Sequence, residues 1–353
     1  MSDRAGRPVA IGMVGCGRVV RTRHAPALLG LDAIRVVAVA DQAVDARSTV
    51  AAALGGVPHC ADLDTLLEQH DVDAVAVCVP AEAHTEVVIR ALDAGKHVFV
   101  EKPLCLSLQD ANEIRRRVEE TGRTLMVGFN LRHHPLVRKG AALIRSGALG
   151  EVVALHSTFA SSFDYRGEAL PWRFSRDRGG GALIEMASHH FDLWRLLLDD
   201  EIDQVTVLTG TGGDEDATVA VAATTRSGVA VSLICTQRSA NVNEVMVLGT
   251  AATLRLSPYR FDGFELQSTT QFAGDAGFRL RRLASALPSL SRTRGAFVGS
   301  YRDEWRAFAH AVRGARPEPD VEDGLRNVAI LCAATESAAS RAPARVGQER
   351  ARV

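Results

Sequence analysis

Apolar runs of strand length alternate with amphipathic stretches of helix length through the first third of the chain. Residues 9–14, 34–40, 74–79, 97–100 and 124–127 read as strands, and residues 18–29, 61–69, 84–94 and 107–120 as helices. Strands that alternate with helices of similar length need right-handed crossovers, so the predicted fold of this half is α/β, a doubly wound parallel sheet. Beyond Gly128 the pattern changes. Runs rich in valine and threonine follow one another at 152–160, 203–208, 218–224, 229–237, 243–249 and 252–256, joined by short turns such as Arg226-Ser227-Gly228 and Gly249-Thr250. Such succession predicts an open, mainly antiparallel sheet, and with the strong helix at 182–198 it makes this half α+β. The expected division is residues 1–128 and 129–353.

Composition narrows the partners. The 353 residues are 46% hydrophobic and 24% charged, enough for two packed domains and too balanced for disorder. A formal net charge of -1, with no basic tract, excludes a general pull toward nucleic acid or anionic membrane and leaves a small molecule as the expected partner. Residues 1–8 are polar and run directly into the first strand, with no signal-peptide core and no apolar span, so a cytoplasmic location is expected. Six cysteines, at 16, 60, 78, 105, 235 and 332, form no C-x-x-C and read as reduced, packed thiols.

The candidate chemistry sits at strand ends. Gly15-Cys16-Gly17-Arg18-Val19-Val20 follows the first strand and opens a helix, matching the first two glycines of G-x-G-x-x-G. Gly15 permits a tight turn and Gly17 a close approach by a pyrophosphate, which the helix's unpaired N–H groups favour. Asp41, 26 residues after Gly15, ends the second strand. Its carboxylate can accept from an adenosine ribose and repels a 2′-phosphate, which points to NAD, while nearby Arg47 keeps NADP open; alternatively Asp41 caps the helix near Ala43. Pro80 and His84 stand at a later strand mouth, where the imidazole is either a ligand contact or a surface histidine. The run 96–100 ends in Glu101-Lys102-Pro103, which is either a charged group facing a crevice or a solvated loop pair. On the helix 182–198, introduced by three glycines, Glu185, His189 and Asp192 share one face at 100° per residue. A histidine flanked by carboxylates can take a proton from a hydroxyl. His190 is turned about 100° away from His189, so no metal is assigned to this cluster.

Taken together, Gly15-Cys16-Gly17, Asp41, the run from Gly95 through Glu101-Lys102-Pro103, Gly128-Phe129-Asn130-Leu131-Arg132, and Gly179-Gly180-Gly181 through His189 and Asp192 resemble the Gfo/Idh/MocA family of oxidoreductases. The likeness covers nearly the whole chain. It implies a Rossmann domain joined to an open antiparallel sheet, and hydride exchange between nicotinamide and a carbon of a sugar, cyclitol or nucleotide sugar. It implies that Lys102 and His189 serve one hydroxyl oxygen and its proton, with Glu185 standing where aspartate is common in the family. Gly15, Cys16, Gly17, Arg18, Val19, Asp41, Pro80, His84, Glu101 and Lys102 form the expected NAD side. Arg132, Trp172, Arg173 and Asp192 form the expected substrate side. A cis bond before Pro103 and a homodimer or homotetramer follow from the same likeness. An NAD-assisted glycosidase and a non-catalytic nucleotide-binding sensor are the alternatives.

The last quarter is less regular. Residues 278–294 mix apolar and basic side chains and read as a solvated loop, a lid or a docking arm. Residues 300–312 and 323–337 are predicted helices, with Trp305 and Phe308 three apart, and 341–353 a polar, frayed end.

Overall fold

The computed structural model describes residues 7–162, 179–210, 217–260, 262–270, 277, 280 and 296–347. The chain divides into two compact units, Met1–Asn130 with Val298–Val328, and Leu131–Phe297 with Ala329–Val353.

The first unit is built on a six-stranded sheet. Its strands are β1 (Val9–Val14), β2 (Ile34–Ala40), β3 (His59–Cys60), β4 (Ala74–Val77), β5 (His97–Glu101) and β6 (Leu125–Gly128), in the order β3-β2-β1-β4-β5-β6. Every pairing is parallel. This is the dinucleotide-binding order, whose switch point lies between β1 and β4. β1, β4 and β6 are buried from end to end, as a sheet covered on both faces requires. Helices α1 (Ala25–Leu28), α2 (Val44–Ala53), α3 (Leu63–Gln69), α4 (His84–Asp93) and α5 (Leu108–Thr121) follow the strands. Asp62 and Ser107 cap α3 and α5 by accepting backbone N–H groups. The helix expected at 18–29 contains a π-helical segment, Val20–His24, before α1. The bond between Lys102 and Pro103 is cis.

The second unit carries an eight-stranded sheet. Its strands are β7 (Val152–Ser162), β8 (Ile202–Thr209), β9 (Thr218–Thr225), β10 (Ala230–Thr236), β11 (Arg238–Gly249), β12 (Ala252–Leu256), β13 (Phe264–Ser268) and β14 (Ala344–Arg345), in the order β13-β12-β11-β7-β10-β9-β8-β14. Only β10 against β7 is parallel. One face packs on α6 (Pro135–Arg145) and on α7 (Ser188–Leu198), which continues a π-helix at Ala182–Ala187. Leu155, Phe159, Val231, Leu233, Val245 and Val247 alternate inward along three strands and bury Trp194 and Phe191. Each large apolar side chain so buried contributes about 1.5–3 kcal/mol.

Two features differ from the sequence reading. The tail expected to fray supplies β14, because Ala344 is buried opposite Val205 and Val346 donates its N–H to Asp203. The helix α8 (Ala296–Val312), which follows the expected boundary, belongs largely to the first unit. Trp305 and Phe308 pack on Phe99 of β5, with ring centroids 4.4 and 5.7 Å away. The following helix, α9 (Val321–Ser340), begins in the first unit and ends in the second.

Candidate active site

In the first unit the site begins where β1 meets β4. Gly15 has φ +96, and a Cβ there would stand 2.5 Å from the Cys78 carbonyl, so only glycine lets the turn close over the end of β4. Gly17 and Arg18 are exposed and Val19 half-buried, with open space where a Gly17 Cβ would stand. Cys16 is buried, and burial foremost, with Asp41 and Cys60 nearby, pushes its thiol up to about 12. Asp41 accepts the Cys16 N–H at 2.7 Å on one oxygen and the Ala43 N–H at 2.8 Å on the other. The carboxylate thus ties the glycine turn to the residue before α2. Arg47 donates to the Asp41 backbone carbonyl at 2.8 Å. Open glycine, acidic strand end and helix N-terminus fit an adenine dinucleotide.

At the end of β5 the residues face different ways. Lys102 is half-buried, whereas Glu101 is 8% exposed and turned inward. Its Oε1 lies 2.8 Å from His24 Nε2, and its Oε2 accepts the Lys102 backbone N–H at 3.0 Å. Trp305 donates its indole N–H to His24 Nδ1 at 3.1 Å, so the proton of the neutral ring sits on Nε2. Burial raises the Glu101 carboxyl, but the His24 hydrogen bond and the Lys102 charge outweigh it and hold it below its ordinary value. His84 is buried, contrary to a surface histidine. Its ring nitrogens lie 2.8 Å from the Pro103 carbonyl and 2.9 Å from that of Val79. The ring therefore links the ends of β4 and β5, and burial, working against these acceptors, lowers its pKa. Pro80 is exposed beside it and accepts the Ala83 N–H.

In the second unit the candidate groups ride on the 182–198 helix. Gly181 at φ 85 makes the bend that starts it. Cys235 Sγ bonds the Ala182 carbonyl, and Trp194 donates to Ser157 Oγ at 3.0 Å, pinning the helix to the sheet at two levels. Of residues 182–195, only Glu185 and His189 are not buried. Glu185 lies in the π-helical turn and accepts from Gln237 Nε2 at 3.1 Å; Gln237 is 2% exposed. π-helical turns occur disproportionately at functional positions.

Arg132 and Asp192, expected on the substrate side, bond each other. Arg132 Nε lies 2.8 and 3.0 Å from the two carboxylate oxygens and one terminal nitrogen 2.6 Å from Oδ1, with both side chains buried. Burial drives His190 down to about 3, with the neighbouring Asn243 side chain working against it. No cluster of metal-ligating side chains occurs among the described residues, nor any helix long and apolar enough to cross a membrane. Trp172, Arg173 and most of the basic stretch 278–294 lie outside the described residues. Sequence reasoning missed His24 and Gln237 and read Trp305 only as core; no local motif marks their contacts, since the partners are 77, 52 and 281 positions away.

Comparison with known proteins agrees with this architecture. Residues 9–129 match the Gfo/Idh/MocA model described as an oxidoreductase family with NAD-binding Rossmann fold, and residues 137–255 match the GFO/IDH/MocA C-terminal domain. A dTDP-3,4-didehydro-2,6-dideoxy-alpha-D-glucose 3-reductase of Actinomadura kijaniata is 30% identical, over 92% of this chain and 94% of the relative. An inositol 2-dehydrogenase of Rhizobium meliloti is likewise 30% identical, over 94% of this chain and 98% of the relative. The WlbA dehydrogenase of Bordetella pertussis, solved with NADH and UDP-GlcNAcA, shares the fold at a TM-score of 0.84 and 23% identity, over 97% of this chain and 99% of that one. With both units matched and a relative aligned along nearly its whole length, the chain belongs to the Gfo/Idh/MocA family of NAD(P)-dependent oxidoreductases.

Proposed function

We propose that this oxidoreductase interconverts an alcohol and a ketone on a sugar, cyclitol or nucleotide sugar, with Lys102 and His189 handling the substrate oxygen and its proton. The observation that carries the reading is the helix 182–198, buried over residues 182–195 except at Glu185 and His189. A carboxylate and an imidazole at such openings suit proton exchange with a bound hydroxyl. The activities named for the relatives, on an inositol and on a dTDP-sugar, supply the substrate class.

The residues divide the work. Gly15, Gly17, Arg18 and Val19 seat the pyrophosphate, and Asp41 takes the ribose hydroxyls. Nicotinamide, when bound, supplies the hydride acceptor or donor. The Lys102 ammonium donates to the substrate oxygen and stabilises the charge that develops there. His189 removes the hydroxyl proton in oxidation and returns it in reduction, while Glu185, held by Gln237, orients the ring. Trp172 and Arg173 complete the substrate side in this reading. The outward face of the eight-stranded sheet carries Val153, Leu208 and Ile234 exposed, which supports a homo-oligomer formed there.

The test is a panel of cyclitols, aldoses and nucleotide sugars offered with NAD and then NADP, following reduced cofactor. Lys102→Met and His189→Ala should each lower turnover by about 10²–10⁴-fold and leave NAD affinity within about twofold. Asp41→Ala should weaken NAD and narrow its preference over NADP. Near-normal rates in both Lys102→Met and His189→Ala end the assignment.

A further inference from the structure

We propose that Trp305 and His24 are positioning residues for Lys102, acting through Glu101 by an unbroken chain of hydrogen bonds. This rests on the reading of Lys102 as the group that holds the substrate oxygen. The donors converge on the Glu101 carboxylate from both sides. The Trp305 indole N–H donates to His24 Nδ1 at 3.1 Å, His24 Nε2–H donates to Glu101 Oε1 at 2.8 Å, and Glu101 Oε2 receives the Lys102 backbone N–H at 3.0 Å. His24 and Trp305 are 0% exposed. The His24 ring is boxed edge-on by Phe99, Tyr301 and Trp305, with centroids 5.7, 5.3 and 5.5 Å away. A ring so confined has one orientation, and the indole fixes which nitrogen carries the proton.

The consequence for Lys102 is geometric. Its main chain leaves β5 at the point where pairing with β6 stops, since Glu101 opposite Gly128 is the last paired position. Past that point the Glu101 carboxylate takes over as acceptor for the Lys102 N–H. The lysine Cα, from which the ammonium is swung, is therefore tied to the aromatic core rather than to solvent. The other ionisable groups around the Glu101 carboxyl are Lys102, His84, Cys78 and the buried Glu304 of α8. Of the partners named here, only His24 and the Lys102 N–H give the carboxylate a hydrogen bond. Removing His24 leaves a buried carboxylate short of a donor, and the strand end must move to find another.

The chain contains three lysines, 96, 102 and 139, so the full-length protein labelled with ¹⁵N-lysine gives three backbone amide signals. In His24→Leu the Lys102 amide should shift and exchange with solvent about tenfold faster, with Lys96 and Lys139 unmoved. His24→Gln keeps an N–H within reach of Glu101 and should restore the signal; Trp305→Phe should fall between. With the best substrate of the panel, His24→Leu should lower kcat about 10- to 100-fold with KM and NAD affinity nearly unchanged, and His24→Gln should recover most of it. An unmoved Lys102 amide in His24→Leu, an equal change at all three lysines, or no difference between the leucine and glutamine variants overturns the inference. Lys102→Met run in parallel separates the two failures. Its loss of turnover beside a normal His24→Leu sinks the positioning role alone, whereas normal turnover in Lys102→Met sinks the reading of Lys102 and the positioning role with it.

Discussion

Breaking the pair of Arg132 and Asp192 gives the most direct measure of what holds the second unit together. The two side chains are 8% and 1% exposed and meet through nitrogen–oxygen approaches of 2.6, 2.8 and 3.0 Å. Taking two ions out of water costs several kcal/mol each, an outlay offset only while the guanidinium and carboxylate face each other in this forked geometry. Truncating one partner leaves the other buried without its counterion. Arg132→Met and Asp192→Leu are each expected to lower the unfolding free energy by about 3–5 kcal/mol. The double variant, with apolar groups filling both places, is expected to lose only about 0–2 kcal/mol. The coupling between the sites is then about 4 kcal/mol or more, above the usual range for neighbouring residues. Urea unfolding of all four proteins, followed by circular dichroism and fluorescence so that separate transitions of the two units are seen, supplies the cycle. A substrate-side role for the pair forecasts the opposite pattern, a raised KM with stability nearly unmoved. Single losses below about 1 kcal/mol, or a double variant that loses the sum of the singles, refute the buried clamp.

Two further outcomes follow from buried groups. Burial foremost, and then the Glu101 charge, raise the Glu304 carboxyl well above its ordinary 4.5. Native protein keeps that proton in a window where the unfolded chain has lost it, so stability is full below about pH 4.5 and falls as pH rises through the raised value. Glu304→Gln has no proton to lose, and the stability difference between variant and parent should grow in the variant's favour from pH 5 to pH 9 in thermal melts; a constant difference contradicts this. Gln237→Leu removes the amide that holds Glu185 and should lower kcat by about tenfold, shifting the pH–rate profile with KM little changed; an unshifted profile removes Gln237 from the proton-handling set.

The legible parts of this protein share one property, which is that their signal lies within a few residues. The strands β1, β2 and β12 span 9–14, 34–40 and 252–256, as the apolar runs predict, because a strand in a covered sheet must be apolar along its length or on alternate positions. Lys102 and the Glu185–His189 pair stood out for the same reason, as charges placed where an apolar run stops or repeated at helical spacing. The two-residue strands β3 and β14 had no run to reveal them; β14 forms because one alanine, Ala344, finds a place beside Val205. The uniform 100° per residue assumed for 182–198 also missed the wider π-helical turn that carries Glu185.

What the sequence withheld was allegiance. Trp305 and Phe308, three apart, announce a buried helical face, but the spacing is the same whichever core receives it, and only Phe99, some two hundred positions earlier, decides the matter. His24 is the stronger case. Between an arginine and an alanine on a short helix it carries no motif, yet its two ring nitrogens join residues 77 and 281 positions away and determine what the Glu101 carboxylate can do. The family likeness implies Glu101 on the NAD side, and its buried carboxylate bonds His24. In a strand, successive side chains point to opposite faces, so a charged pair at a strand end is expected to split, one inward and one outward. That rule does not say which of Glu101 and Lys102 goes inward; the structure gives the buried place to the carboxylate, which needs a buried donor, and that donor, His24, lies 77 positions away. The demand for a buried partner could have been read from the chain; which charge makes it and which residue answers it could not.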